Sequence, residues 1–143
     1  MLKNIFYPGN YAANINYALL FFRIFVGILI FTHGIGKFQM LTGDAPITFA
    51  DPIGIGQTAS LFLSTLAEFF SAIFLVLGLA SRPAAFILVI NMAVIFFIVH
   101  AGDPFNAKEL PLLFLISFFT LLITGAGKFS LDRLVYNKLN KNE

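Results

Sequence analysis

Four stretches of the chain, about 17–38, 58–79, 83–100 and 110–124, are apolar almost without interruption, and Gly, Pro, Asp and Lys collect between them. They show neither the alternation of a half-buried strand nor the one-sided periodicity of a surface helix. Being apolar all round, they approach the roughly 20 residues that a helix needs to cross hydrocarbon. A bilayer admits only helices and closed barrels, and continuous apolar runs decide for helices. The pattern predicts an all-α fold, a polytopic four-helix membrane bundle forming a single domain over residues 1–143. Pro83 suits a first helical turn, and Gly125 with Gly127 suit the stop after the fourth run. The first run carries Arg23 and is followed by FQMLTGD rather than a small-residue cleavage site, so it is expected to stay in the mature chain.

Composition agrees with this reading. Hydrophobic residues make up 59% of the chain and charged residues 11%, and the mean hydropathy is +0.89, beyond what a soluble surface tolerates. The net charge of +2 reflects orientation, and no nucleic-acid partner is expected. Lys3, Arg82, Lys128, Arg133, Lys138 and Lys141 fall on one side of the spans and Lys37 and Lys108 on the other. The positive-inside rule then puts both termini in the cytoplasm, with a bacterial-type inner membrane as the expected location. In the basic tail, 128–143, Leu131, Leu134, Val135 and Leu139 share one helical face, which fits an interfacial helix resting on anionic lipid; a solvated basic end is the alternative.

The chain has no cysteine. That removes thiol relays, disulfides, iron–sulfur ligation and covalent c-type haem. No phosphate loop, serine elbow or zinc-binding helix motif is present either. Any redox role needs a bound cofactor, and a quinone is the candidate. No metal or haem is expected, because a haem between His33 and His100 would require the first and third spans to converge across the core.

Candidate chemistry therefore rests on polar groups inside the spans, which are costly enough there to mark a site. Arg23, His33, Lys37, Glu68, Asn91 and His100 are those groups. At about 100° per residue, Arg23, His33 and Lys37 lie within an arc of about 80° on the first helix. Gly27 and Gly34 lie beside that stripe and leave room for another helix or a flat ligand. Counting about 1.5 Å per residue from the cytoplasmic ends places Arg23 roughly 9 Å deep, Asn91 roughly 12 Å and Glu68 roughly 16 Å. This predicts an intramembrane cluster in which Arg23 pairs with Glu68 and Asn91 steadies the pair; fixing helix register competes with a functional role for it. His33 and His100 both fall about 24 to 26 Å from the inner end. Lys37, Asp103, Lys108 and Glu109 are expected around them, with LTGDAPITFADPIGIG as a lid. The plain alternatives are interfacial histidines satisfied by water or backbone, and a snorkelling lysine.

Several segments then resemble a known family. LLFFRIFVGILIFTHGIGKF, with its Arg and its His-Gly-x-x-Lys signature, is similar to the first span of the DoxX family of small four-helix membrane proteins, and so in order are ADPIGIG, LAEFFSAIFLVLGLASRPAA and LLITGAGKFSLDRL. The likeness runs from about Tyr17 to Leu134. Residue by residue it implies importance for Arg23, His33, Gly34, Lys37, Glu68, Arg82 and the segment 125–132. The family takes its name from association with a thiosulfate:quinone oxidoreductase of archaeal membranes, and other members are similar to partners of oxidative-stress or sulfur-handling proteins. The resemblance thus implies a membrane subunit with a quinone link.

Three functions remain open at this level. The first is a subunit of a quinone-linked redox system, with His33, Gly34, Lys37 and His100 as the quinone-binding candidates and the ring beside Gly34. The second is a non-catalytic scaffold or anchor that binds membrane lipids and a protein partner or a second copy of itself. The third is a small lipid- or solute-binding or transport protein that uses the Arg23 and Glu68 level.

Overall fold

The computed structural model describes residues 2–141. Met1, residues 142–143 of the tail, and the side chains of Leu2 and Lys3 lie outside the described residues. Among the described residues every regular element is a helix. These are α1 (Leu2–Ile5), α2 (Ala13–Thr42), α3 (Gln57–Leu77), α4 (Ser81–Val99), α5 (Phe105–Thr124) and α6 (Leu131–Lys141). Helices α2 to α5 are each long and apolar enough to cross a membrane. Their outward faces carry exposed Phe25, Phe97, Phe119 and Ile123, the surface of a chain whose solvent is lipid. The protein is a multi-pass membrane protein built as a four-helix bundle.

Two antiparallel hairpins, α2 with α3 and α4 with α5, form the bundle, and α3 joins them by packing on α4. Leu19, Ile30, Leu75, Leu88, Phe118 and Leu121 lie in the shared core. Along α2 the buried positions Arg23, Gly27, Ile30 and Gly34 repeat at four and three residues, which keeps one stripe on the α3 side. Gly27 and Gly34 let the backbones touch. A Cβ on Gly34 would strike the Glu68 carbonyl and the Phe69 amide, and one on Gly27 would strike Val76. Of the two occupants expected beside Gly34, a helix or a flat ligand, the space is filled by the helix, which corrects the expectation that a quinone ring lies there.

This register moves Arg23 away from Glu68. Because Gly34 lies beside Glu68, Arg23 is eleven positions lower on α2, about 16 Å along the axis. Its guanidinium packs on Gly78 and Nη2 donates to Phe129 O at 2.9 Å. The predicted Arg23–Glu68 pair is therefore absent, and the intramembrane cluster of Arg23, Glu68 and Asn91 divides into two levels. The depth ruler failed because it set all spans flush and began the first near residue 17. Helix α2 in fact begins at Ala13 and overhangs the end of α3.

The overhang is covered by the segment after α5. Gly125 and Gly127 take positive φ, and Lys128 N donates to Asn16 Oδ1 at 2.8 Å. Gly127 N donates to Pro8 O at 2.8 Å and Tyr11 Oη to Thr124 O at 2.9 Å. Arg82 closes α5 by donating to Leu122 O and Ile123 O, both at 2.9 Å, where helix carbonyls lack partners and the dipole favours a cation. Gly78 ends α3 in a Schellman closure, with Leu79 N on Phe74 O at 2.9 Å. Asp132 then caps α4 from a distance, accepting Ala80 N at 2.6 Å and Ser81 N at 3.0 Å. Helix α6 turns Asp132 inward and sets Tyr136 edge-on to Tyr7, while Leu131 and Leu134 stay exposed.

Candidate functional site

The ionisable groups near the other end converge on Glu68. Helix α3 is π-helical over Leu66–Ser71, a local widening of the turn that recurs at functional sites. Glu68 lies within it and is only 1% exposed. Its Oε1 accepts Lys37 Nζ at 2.5 Å and Asn91 Nδ2 at 2.8 Å. Lys37 also donates to Ser64 Oγ at 2.8 Å, and its ammonium lies 5.8 Å from the Phe49 ring centroid. Ser64 and Glu68 are four apart on α3, one turn on the same face. That spacing is the signal by which Ser64 could have been recognised as a site residue.

Coulomb attraction in low dielectric and the Asn91 bond offset the cost of burying this carboxylate. An ammonium has three donors. Two are taken by Glu68 and Ser64, which leaves one for a further acceptor among the described residues. Asn91 likewise keeps an N–H and its carbonyl.

Two cavities flank this Lys37–Glu68–Asn91 group. The larger, about 500 Å³, is a crevice between α3 and α4, walled by Leu63, Leu66, Ile87, Ile90, Val94 and Ile95 and covered by Phe49, Pro52 and Ile53. Lys37, Ser60, Ser64 and Asn91 supply its polar wall. Leu63 and Ile90 are exposed, so it opens sideways toward lipid. The smaller, about 250 Å³, lies among α2, α4 and α5 and is lined by His33, Lys37, Glu68, Met92, His100, Pro111 and Phe114 among others.

The loop 43–56 acts as a cover, but over the crevice rather than over the histidines. Asp51 organises it by accepting Ile55 N at 2.9 Å, Gly56 N at 2.8 Å and Ser60 Oγ at 2.8 Å. These bonds, that from Gly56 first, hold its carboxyl below the ordinary carboxylate range. The predicted outward cluster is only partly assembled. His33 and His100 share the smaller cavity, and His33 meets Phe114 edge-on with centroids 6.1 Å apart. His100 Nδ1 is 2.7 Å from Asp103. Lys37 turns down to Glu68, and Lys108 bonds the Ala101 carbonyl at 2.7 Å. Gly34 is a packing residue. Arg23 belongs to the opposite end, buried against Phe129 with Asp132 as its nearby counter-charge.

Comparison with known proteins adds a family. The DoxX family model matches residues 18–101, a segment that contains Arg23, the Lys37–Glu68–Asn91 group and both histidines. A Haemophilus influenzae protein described as an "Uncharacterized protein" is 34% identical over 85% of this chain and 93% of its own length. A Bacillus subtilis protein named "Putative oxidoreductase CatD" is 28% identical over 86% of this chain and 91% of its own. A second Haemophilus influenzae protein, also described as an "Uncharacterized protein", is 28% identical over 82% of this chain. No solved structure matches the chain.

Proposed function

This chain belongs to the DoxX family, and from that premise we propose that it is a membrane subunit of a quinone-linked redox system that holds a quinone head group in the crevice between α3 and α4. One observation carries the reading. A cavity of about 500 Å³, apolar and open toward lipid, ends on a polar wall of Lys37, Ser64 and Asn91 with Glu68 buried behind it. A quinone has the matching chemistry, an apolar tail and two carbonyl acceptors. The tail lies between Leu63 and Ile90, and a carbonyl accepts the remaining donor of Lys37 or Asn91. Glu68 supplies the carboxyl that exchanges a proton with the reduced head group.

Electrons come from a protein partner, because the chain has no cysteine with which to ligate an iron–sulfur cluster or attach a c-type haem. The name of the Bacillus subtilis relative points the same way. The termini face the cytoplasm of a bacterial inner membrane. Arg82, Lys128, Arg133, Lys138 and Lys141 cluster at their end, whereas Asp44, Asp51, Asp103 and Glu109 lie at the other with Lys37 and Lys108.

The test is native mass spectrometry of protein gently extracted from its own membrane. Wild type should carry a quinone-sized mass, and Lys37→Met with Asn91→Leu should each lose most of it, about tenfold in affinity per lost hydrogen bond. A bare wild-type chain, or equal retention in both variants, overturns the reading and favours the scaffold.

A further inference from the structure

Three of the four helices that line the smaller cavity depart from regular α geometry beside it. Glu68 lies in the π-helical turn of α3, Ile95 opens the π-helical turn of α4 over Ile95–Val99, and His100 closes it. On α5 the cavity is lined by both Ala107 and Pro111. Proline has no N–H, so the Ala107 carbonyl, four residues earlier, loses its helical partner. At membrane depth, irregular backbone persists only where it is buried in protein or lines a water-filled space. The π-helical turns keep backbone bonds, with His100 N donating to Ile95 O at 3.0 Å, so the Ala107 carbonyl is the backbone acceptor that the lumen must satisfy. Acyl chains filling that lumen would leave that carbonyl and the polar side chains around it unmet, whereas water meets them.

The side chains agree. His33, Lys37, Glu68 and His100 all line the space, enough to supply the two to four partners that a buried water requires. Among the described residues nothing hydrogen-bonds Glu68 Oε2, although Oε1 holds two bonds. Ala107 is exposed and His100 half-buried, so the cavity opens where α4 ends and α5 begins, beside the His100–Asp103 pair.

We propose that this cavity is a water-filled vestibule, open at the end opposite the termini, that brings water and protons to Glu68 from the side away from the lipid-facing crevice. Lys37 and Glu68 then form the partition between a wet half-site and a lipid-fed one. The vestibule stands on its geometry alone, and its service to a head group rests on the quinone reading above. Protons enter past His100, Asp103 and His33 and meet Glu68, with the Lys37 ammonium facing the carboxylate inside.

The native absence of cysteine makes the test direct. Single cysteines are placed deep in the vestibule (Met92→Cys, with Ile30→Cys as a second deep position), at its mouth (Ala107→Cys) and in the crevice (Ile90→Cys). In sealed vesicles, with the side fixed by proteolysis of a C-terminal tag, a charged, impermeant methanethiosulfonate is applied opposite the termini. Met92→Cys or Ile30→Cys should react at least tenfold faster than Ile90→Cys, and an apolar maleimide should reverse that order. Labelling of Ala107→Cys alone, or reaction of the deep positions only with the maleimide, overturns the vestibule. Decylquinone should shield Ile90→Cys but not Met92→Cys. Unshielded Ile90→Cys beside a labelled vestibule overturns the quinone reading and leaves the vestibule standing.

Discussion

Lys37 and Glu68 meet at 2.5 Å between α2 and α3, one turn beyond the point where Gly34 brings the two backbones into contact. Close approach and ion pair depend on each other. Without Gly34 the helices would separate and the lysine could not reach, and without the lysine the widened turn of α3 would hold an uncompensated carboxylate in an apolar core.

Removing one partner should therefore cost more than removing both. Lys37→Met leaves Glu68 with Asn91 alone and should lose about 3–5 kcal/mol, whereas Lys37→Met combined with Glu68→Leu should recover much of the loss. Arg23→Met combined with Glu68→Leu should be additive within about 0.5 kcal/mol, since the sites share no partner. Unfolding in detergent, followed through both double-mutant cycles, checks this. Coupling of Glu68 to Arg23 instead of Lys37 would refute the register.

The two glycines of the HGIGK stretch should behave oppositely. A Cβ on Gly34 meets backbone atoms of α3, and one on Gly36 meets nothing within 4 Å. Gly34→Ala should lose about 1–3 kcal/mol by overpacking. Gly36→Ala should be neutral or gain up to about 1 kcal/mol from helix propensity. Thermal melts of the two variants, measured side by side, decide it.

The four spans and the α-helical class were legible because lipid imposes one solution on long apolar runs, and the resemblance carried the family. Asn91 beside Glu68 followed from depth, since both spans are short and nearly flush. The Lys37–Glu68 pair was hidden because partner choice depends on register, and register is fixed by Gly27 and Gly34 touching Val76 and Glu68, which no single-helix angle reveals. The resemblance marked the segment 125–132 that holds Asp132, but what Asp132 binds was equally hidden. Its partners, Ala80 N and Ser81 N, are about fifty residues away, and backbone amides leave no mark in a sequence.

Asp132 should prove the keystone of the end bearing the termini. It holds Ala80, a non-glycine residue at φ 47°, and is the counter-charge near Arg23, whose Nε and Nη1 are buried without partners. Asp132→Ala should cost at least the roughly 0.5–2 kcal/mol of a lost cap, with more from the uncompensated guanidinium. Ala80→Gly relieves the left-handed backbone and should restore about 1 kcal/mol in that background. Failure of Ala80→Gly to help would show that the turn is held by something other than the aspartate.

The cover over the crevice should respond to acid only below the ordinary carboxylate range. The folded value for Asp51 is depressed by the Gly56, Ser60 and Ile55 bonds, so its stabilisation of the loop is fully present above the unfolded value of about 3.9 and is lost as pH falls through the lower folded one. Hydrogen exchange at Ile55 and Gly56 should accordingly stay flat from neutral pH down to about pH 4, after correction for the intrinsic rate, and rise beneath it. Asp51→Asn keeps one acceptor oxygen and cannot serve three donors, so exchange there should be fast at every pH with no acid transition. Phe49 and Ile53 ride on this loop and line the crevice, so a ligand in the crevice should protect the same amides in wild type and lose that effect in Asp51→Asn. An acid transition surviving in Asp51→Asn would assign the loop's closure to another group.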